Sequence, residues 1–259
     1  MALWPQAGAA LALLAALVAA CDAEGTGGSE ADGGAVAGEV LVSAASSLTD
    51  AFEDIESAFE AAHPGVDVVL NLGSSSTLAV QILEGAPVDV FASANPANME
   101  RVRAAGQVRG AAAVFARNRL QIAVPAGNPA AITGLADFAN ESLRLGLCAE
   151  TVPCGIFARQ ALERAGVAPE LDTNEADVRA LLNKIELGEL DAGITYVTDV
   201  ASARGAVQGI DIPEEYNVVA EYPIAVLAGA PNPRGAEAFV RFVLSEEGRR
   251  ILAAHGFAP

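Results

Sequence analysis

The feature of this sequence that most constrains its fold is the alternation of short β-branched runs with segments of helical periodicity. The clearest helical segment is residues 47–62. Its apolar positions, spaced by four, three and four residues, are Leu48, Phe52, Ile55 and Phe59. This spacing, with acidic residues on the opposite face, predicts an amphipathic helix. Because strands and helices alternate along the chain, we expect an α/β architecture with mainly parallel sheets.

The other predicted elements follow the same alternation. Strands are expected at 40–43, 66–70, 88–93, 120–127, 143–148, 192–197 and 222–227. Helices are expected after the serine-rich stretch 73–77, at 153–166, at 174–188, and from 234 to the C-terminus with a break near Ser245. In the third of these, Asn174 is the expected N-cap, with Asp177 three positions later.

The N-terminus has the pattern of an export signal. Residues 1–20 carry no charged side chain and contain an apolar run that is short for a membrane span. The run ends in "LVAAC", which resembles a lipobox and predicts acylation of Cys21, although the usual Lys or Arg near the start is missing. The alternative is a secretory signal that a cysteine merely follows. The Gly-rich, acidic residues 21–38 predict a flexible tether, so the folded part should begin near Glu39.

The net charge and the positions of the cysteines limit the kinds of partner and ligand that this protein could bind. The formal net charge of −18 argues against a nucleic-acid partner, and an anionic ligand would have to be held by local dipoles. Outside the cytoplasm, Cys148 and Cys154 could close a small loop as a disulfide. Free thiols are the second interpretation, and a metal site has no nearby histidine to support it.

An enzyme has no motif behind it in this sequence. There is no G-x-S-x-G, H-E-x-x-H, G-x-x-x-x-G-K-[ST] or G-x-G-x-x-G. The two histidines, His63 beside a proline and His255 near the C-terminus, are interpreted as solvated turn and end residues.

Two hydroxyl clusters follow predicted strands and begin predicted helices. Ser46 and Ser47 form the first, and "GSSST" at 73–77 forms the second. Helix N-termini present unpaired N–H groups that bind anions, and ligands gather at the carboxyl ends of parallel strands. A plain N-cap with spare surface serines would explain either cluster alone. The pair of clusters favours an anion site, with Ser74, Thr77 and also Ser76 as ordinary capping and surface residues.

Five blocks of the chain resemble the extracytoplasmic molybdate-binding proteins of ABC transporters. They are "AASSLTDAFEDI" (44–55), "GSSSTLAVQILEGAPVDVFASA" (73–94), "VPCGIFARQAL" (152–162), "DVRALL" (177–182) and "GITYVTDV" (193–200). The resemblance runs from Glu39 to Phe257 and implies a two-lobed periplasmic-binding-protein fold, with a tetrahedral oxyanion held between the lobes.

The resemblance also implies the residues that hold the oxyanion. Ser47, Ser75 and Tyr196 would donate their hydroxyls, and Cys154 and Val178 their backbone N–H groups. Cys154 departs from the family pattern, where alanine is familiar, but only its backbone is needed. Neutral donors suit a fully deprotonated anion such as molybdate, tungstate or sulfate, whereas hydrogen phosphate would need an acceptor. Asp50, a nearby carboxylate, is expected to be an exposed first-turn residue.

The family further implies the organisation and partners of the protein. Lobe one would comprise 39–118 and 224–259, and lobe two 119–223, with a hinge between them. A monomer without cofactor or catalytic activity would hand its anion to an ABC permease, anchored to the membrane through Cys21. Two rivals remain: a binding protein for another oxyanion, sulfate above all, and a secreted hydrolase that uses Ser47 or Ser75 with a histidine.

Overall fold

The computed structural model describes residues 36–259. The strands in these residues are β1 Gly38–Ala45, β2 Val66–Gly73, β3 Val90–Ala92, β4 Val108–Pro125, β5 Leu145–Cys148, β6 Thr173–Glu175, β7 Ala192–Tyr196, β8 Val207–Asp211 and β9 Val219–Leu227. The α-helices are α1 Thr49–Ala62, α2 Ser75–Leu83, α3 Pro96–Ala104, α4 Pro153–Arg164, α5 Val178–Glu186, α6 Val197–Ser202, α7 Pro233–Val243 and α8 Glu246–Ala254. Short 3-10 helices span Ser46–Leu48 and Leu135–Ala139.

The strands form two sheet sections that share one long strand. Their order is β2-β1-β3-β9-β4-β7-β5-β6, with β8 also paired to β4. The pairs β1–β2, β1–β3, β5–β6 and β5–β7 are parallel, and every antiparallel pair includes β4 or β9. Strand β4 pairs with β9 as far as Arg119 and with β7 from Leu120 onward. The two-lobed α/β fold is confirmed; the exact lobe bounds stay a prediction.

The core supports the helix assignments made from periodicity. Phe52, Ile55 and Phe59 of α1 are fully buried. The ring of Phe239 in α7 packs edge-on against Phe59 at 5.3 Å and against Phe52 at 6.1 Å. Burying each such side chain contributes about 1.5–3 kcal/mol, which fixes α1 and the turn before it on the sheet.

Two local predictions are corrected by the structure. Strand β4 begins at Val108, twelve residues before the predicted strand at 120–127, because the earlier part pairs with β9. The helix predicted at 174–188 begins at Val178, and Asn174 is not its N-cap. Asn174 lies in β6, which pairs with β5, and the Asp177 carboxylate caps the helix by accepting the N–H groups of the two residues after Val178.

Part of the predicted N-terminal organisation lies outside the described residues. This applies to the signal peptide 1–20, to Cys21 and to the tether as far as residue 35. The tether was predicted to reach residue 38, but Gly38 already begins β1 and donates its N–H to the Gly65 carbonyl at 2.8 Å. Within residues 36–259, none of the helices combines the length and hydropathy needed to cross a membrane.

Candidate functional site

Helix starts from both sheet sections converge on one small cavity. Strands β1 and β2 lead into the 3-10 turn before α1 and into α2, while β5, β6 and β7 lead into α4, α5 and α6. The cavity has a volume of about 10 Å³, the space of about one water molecule, and its lining residues are Ala45, Ser46, Ser47, Gly73, Ser74, Ser75, Ala94, Val152, Pro153, Cys154, Val178 and Tyr196. We call it the donor cavity. Its lining contains no charged side chain, so an anion there would meet only dipoles and hydroxyls.

All five residues predicted from the sequence lie in the lining of the donor cavity. The structure therefore brings together every member of that set, from segments as distant in sequence as Ser47 and Tyr196. Ser75 and Tyr196 are each 1% exposed, and Ser47 is 7% exposed. The site is thus enclosed by protein on both sides.

Ser75 is the first residue of α2, and a backbone N–H fixes the orientation of its hydroxyl. The Ala94 N–H donates to Ser75 Oγ at 2.9 Å. Since a backbone N–H can only donate, the Ser75 oxygen acts as the acceptor and its own proton stays available to a ligand. Ser74 is the N-cap, accepting the Thr77 N–H at 3.3 Å, and Thr77 Oγ1 lies 2.8 Å from Ser74 Oγ. The capping role predicted for Ser74 is confirmed, and Thr77 is an exposed residue whose N–H Ser74 caps.

Ser47 lies in the 3-10 turn that precedes α1, where the burial of Leu48 and Phe52 fixes the backbone. Its Oγ is 3.0 Å from the hydroxyl of Tyr222, a fully buried residue of β9. Sequence reasoning placed Tyr222 only in a strand. A partner 175 positions away leaves no local signal.

Tyr196 is the last residue of β7, and its buried hydroxyl, which lies near that of Tyr222, makes no hydrogen bond of normal geometry in residues 36–259. Its backbone N–H donates to Asp199 Oδ2 at 2.9 Å, which fixes the end of the strand. Burial raises the pKa of the Tyr196 hydroxyl well above its ordinary value, so the group remains an O–H donor at neutral pH. An unpaired buried hydroxyl costs about 1–3 kcal/mol, and a ligand that accepts its proton would remove this cost.

Cys154 and Val178 occupy the first turns of α4 and α5. First-turn N–H groups have no acceptor within their own helix, so both backbones are free to donate to an anion. A disulfide joins Cys154 to Cys148, with 5.9 Å between the Cα atoms, and ties this turn to the end of β5. The helix also packs unusually close to that strand end, because a Cβ added at Gly155 would lie 2.1 Å from the Ala149 carbonyl oxygen.

An ion pair lies beside the donor cavity. Arg179, directly after Val178, pairs with Asp50 in the first turn of α1 and donates to the Ser46 carbonyl at 3.4 Å. The Asp50 side chain is 38% exposed, in the expected first-turn position, but its pairing with Arg179 was not predicted. Because Asp50 pairs with Arg179, the positive charge beside Ser46 and Val178 is already compensated.

The two histidines have other partners, although His255 and Ser47 both line a second cavity. His255 Nε2 lies 2.8 Å from Asp54 Oδ2, and the His63 ring packs against Phe59 at 4.5 Å. Within residues 36–259, no hydrogen bond joins either histidine to Ser47 or Ser75. The hydrolase interpretation therefore lacks the serine–histidine contact that it needs.

Comparison with known proteins agrees with this arrangement. The family model for bacterial extracellular solute-binding proteins matches residues 40–258. The chain belongs to this family. It is 39% identical over 247 residues to the molybdate-binding protein ModA of Mycobacterium tuberculosis (strain ATCC 25618 / H37Rv), covering 95% of each protein.

Solved structures show how widely the fold of this solute-binding protein is shared. The periplasmic molybdate-binding protein of Azotobacter vinelandii has a TM-score of 0.73 at 21% identity, covering 85% of this chain and 99% of that one. The sulfate-binding protein SubI of M. tuberculosis H37Rv has a TM-score of 0.77 at 18% identity, covering 85% and 86%. At such identities the likeness concerns the fold alone, so the ligand has to be argued from the site.

Proposed function

We propose that this solute-binding protein captures molybdate, and also tungstate, outside the cell and delivers it to an ABC permease. The observation that carries the proposal is the donor cavity, which gathers Ser47, Ser75, Cys154, Val178 and Tyr196 around one enclosed space. The high identity to a protein named for molybdate binding supports the same ligand.

The chemistry of the lining favours an anion without protons. Ser75 has a donor behind it, Tyr196 has an unpaired O–H, and two further donors are first-turn backbone N–H groups. Hydrogen bonds to a charged acceptor contribute about 1.5–3 kcal/mol each, although such contributions do not simply add. A dianion such as molybdate can accept from every direction, whereas the O–H of hydrogen phosphate would face donors only.

The neutral lining also explains how a protein with a net charge of −18 could bind an anion. An anion approaching this protein is repelled over long range, although salt screens the repulsion beyond about 8 Å at physiological ionic strength. Once inside the cavity, the anion meets helix N-termini and hydroxyls at short range, where the local dipoles outweigh distant charges.

We further propose how capture is coupled to delivery. The two lobes, 39–118 with 224–259 and 119–223, close around the anion by bending where the chain crosses between them, in β4 and in β9. Closure buries the anion and presents both lobes to the permease as one surface. Acylation of Cys21 and the tether that follows would keep the monomer near the membrane, and the protein would bind and release its ligand without catalysis.

Sulfate is the alternative ligand, because a lining of donors alone suits any fully deprotonated tetrahedral dianion. Competition calorimetry separates the two: the protein is saturated with sulfate and titrated with molybdate, then with tungstate, with phosphate as the protonated comparison. We expect molybdate and tungstate to displace sulfate. Tight binding of sulfate that molybdate does not displace would overturn the choice of ligand. Hydrolysis of an ester by the purified protein would instead support the hydrolase interpretation.

A further inference from the structure

Tyr222 holds a fixed position directly behind the donor cavity. It lies on β9, is fully buried and does not itself line the cavity. Its ring is held edge-on by Phe257 at 5.5 Å, Tyr196 at 6.2 Å and Phe115 at 6.3 Å. Packing on three sides leaves the ring little freedom, so the direction of its hydroxyl is set by the fold.

The hydroxyl of Tyr222 lies within hydrogen-bond distance of Ser47, which lines the donor cavity. Its Oη lies 3.0 Å from Ser47 Oγ, and both groups are buried. Burial and the Asp199 carboxylate raise the pKa of Tyr222 well above its ordinary value, whereas hydrogen bonding with Ser47, Asn118 and Tyr196 lowers it without offsetting the burial. The phenol therefore keeps its proton at any physiological pH and can donate it.

One proton lies between these two oxygens, and its position decides what Ser47 offers to a ligand. If Ser47 donates to Tyr222, the Ser47 oxygen faces the cavity with lone pairs and repels an anion. If Tyr222 donates to Ser47, the Ser47 proton is free to point at the anion. The neighbouring Ser75 has the second arrangement already, because the Ala94 N–H behind it can only donate.

We propose that Tyr222 is a specificity-determining positioning residue, which donates to Ser47 and thereby makes Ser47 a donor toward the cavity. The proposal rests on the proposed function and deepens it. Without the Tyr222 hydroxyl, the Ser47 hydroxyl can rotate and accept a proton from the ligand. The native site then discriminates against hydrogen phosphate, and loss of one hydroxyl outside the cavity relaxes that discrimination.

The test is a double-mutant cycle of Tyr222→Phe and Ser47→Ala, read as the dissociation constants of molybdate, sulfate and phosphate at pH 8. Tyr222→Phe should weaken molybdate about tenfold, the effect of losing one hydrogen bond of about 1–1.5 kcal/mol, and should weaken phosphate less. In the Ser47→Ala background the same change should have no further effect, because the Tyr222 hydroxyl acts through Ser47.

Tyr216→Phe is the matched control. Tyr216 is a partly buried tyrosine in the turn after β8, and it does not line the donor cavity. Its substitution removes the same hydroxyl elsewhere and should leave the three dissociation constants unchanged.

The outcomes separate this proposal from the proposed function. Equal losses for all three anions, or additive effects of Tyr222→Phe and Ser47→Ala, overturn the role of Tyr222 while oxyanion binding stands. A wild-type protein that binds none of the three anions overturns both. If Tyr222→Phe does not fold, neutron diffraction from wild-type crystals locates the same proton: on Tyr222 Oη pointing at Ser47 it supports the proposal, and on Ser47 Oγ pointing at Tyr222 it contradicts it.

Discussion

Substitution of Tyr196 by phenylalanine should move ligand affinity and protein stability in opposite directions. The Tyr196 hydroxyl is buried and makes no hydrogen bond of normal geometry in residues 36–259, although its ring is packed and fully enclosed. In the unliganded protein the hydroxyl is therefore a cost of about 1–3 kcal/mol, which phenylalanine removes. With an oxyanion bound it becomes a charge-assisted donor, which phenylalanine cannot replace.

The magnitudes follow from these two states. Loss of a hydrogen bond to a charged acceptor, about 1.5–3 kcal/mol, should raise the molybdate dissociation constant about 10- to 150-fold. In the absence of ligand the melting temperature should rise, by about 2–4 °C for each kcal/mol gained. Tyr216→Phe, which removes a hydroxyl from a partly buried residue outside the cavity, serves as the control.

The assay is calorimetric titration of each variant with molybdate, paired with thermal unfolding with and without the anion. A lower melting temperature of the unliganded Tyr196→Phe variant would show that the hydroxyl has a stabilising partner within the protein. Unchanged molybdate affinity would remove Tyr196 from the site.

Three further substitutions test other parts of the account. Ser75→Ala should weaken oxyanion binding and lower the unfolding free energy by about 1–3 kcal/mol, because the Ala94 N–H loses its acceptor; Ser76→Ala should do neither, and equal titrations of the two variants would contradict this. Asp50→Asn removes a carboxylate beside the cavity and leaves Arg179 uncompensated, so it should tighten molybdate and sulfate by the same factor, about fivefold at most for a partly exposed pair; weaker binding of both anions would show instead that the ion pair is needed to hold the two helix starts in place. Burial raises the pKa of Asp199 to about 7, so the folded state retains a proton that the unfolded chain releases near pH 4, and this group's contribution to stability falls as pH rises through that interval. Asp199→Asn should flatten that part of the pH dependence of unfolding, and an unaltered profile would refute it.

Elements with local signals were predictable from the sequence. The apolar spacing of Leu48, Phe52, Ile55 and Phe59 predicted α1, because a helix buries one face and the period of that face appears directly in the sequence. The break at Ser245 was equally visible, since its side chain caps α8 by accepting the Gly248 N–H. The serine clusters were visible for the same reason, because capping and anion binding both depend on the residues at a helix start.

Features that depend on distant residues could not be predicted in this way. The first half of β4 contains Gly110 and the three alanines 111–113, residue types that are depleted in strands, and only its pairing with β9 makes it a strand. Asn174 was predicted to be a helix cap from its residue type. In the structure it lies in β6, which pairs with β5, and Asp177 is the cap. The Ser47–Tyr222 hydrogen bond and the Asp50–Arg179 ion pair each join residues that are far apart in the sequence. Such contacts leave no local sequence pattern from which they could be predicted.

The site residues themselves came from the resemblance rather than from spacing. A valine and a cysteine that would act through backbone N–H groups carry no side-chain signal, and Val178 alone would be interpreted as core. The structure shows that these residues line the same cavity. What has still to be measured is which ligand binds there.

The most direct test of the central claim is X-ray diffraction from crystals grown with molybdate, collected at the molybdenum absorption edge. The account predicts one anomalous peak inside the donor cavity, with ligand oxygens within hydrogen-bond distance of Ser47 Oγ, Ser75 Oγ and Tyr196 Oη and of the backbone nitrogens of Cys154 and Val178. A peak outside the cavity, or an anion held there by the guanidinium of Arg179, would contradict it.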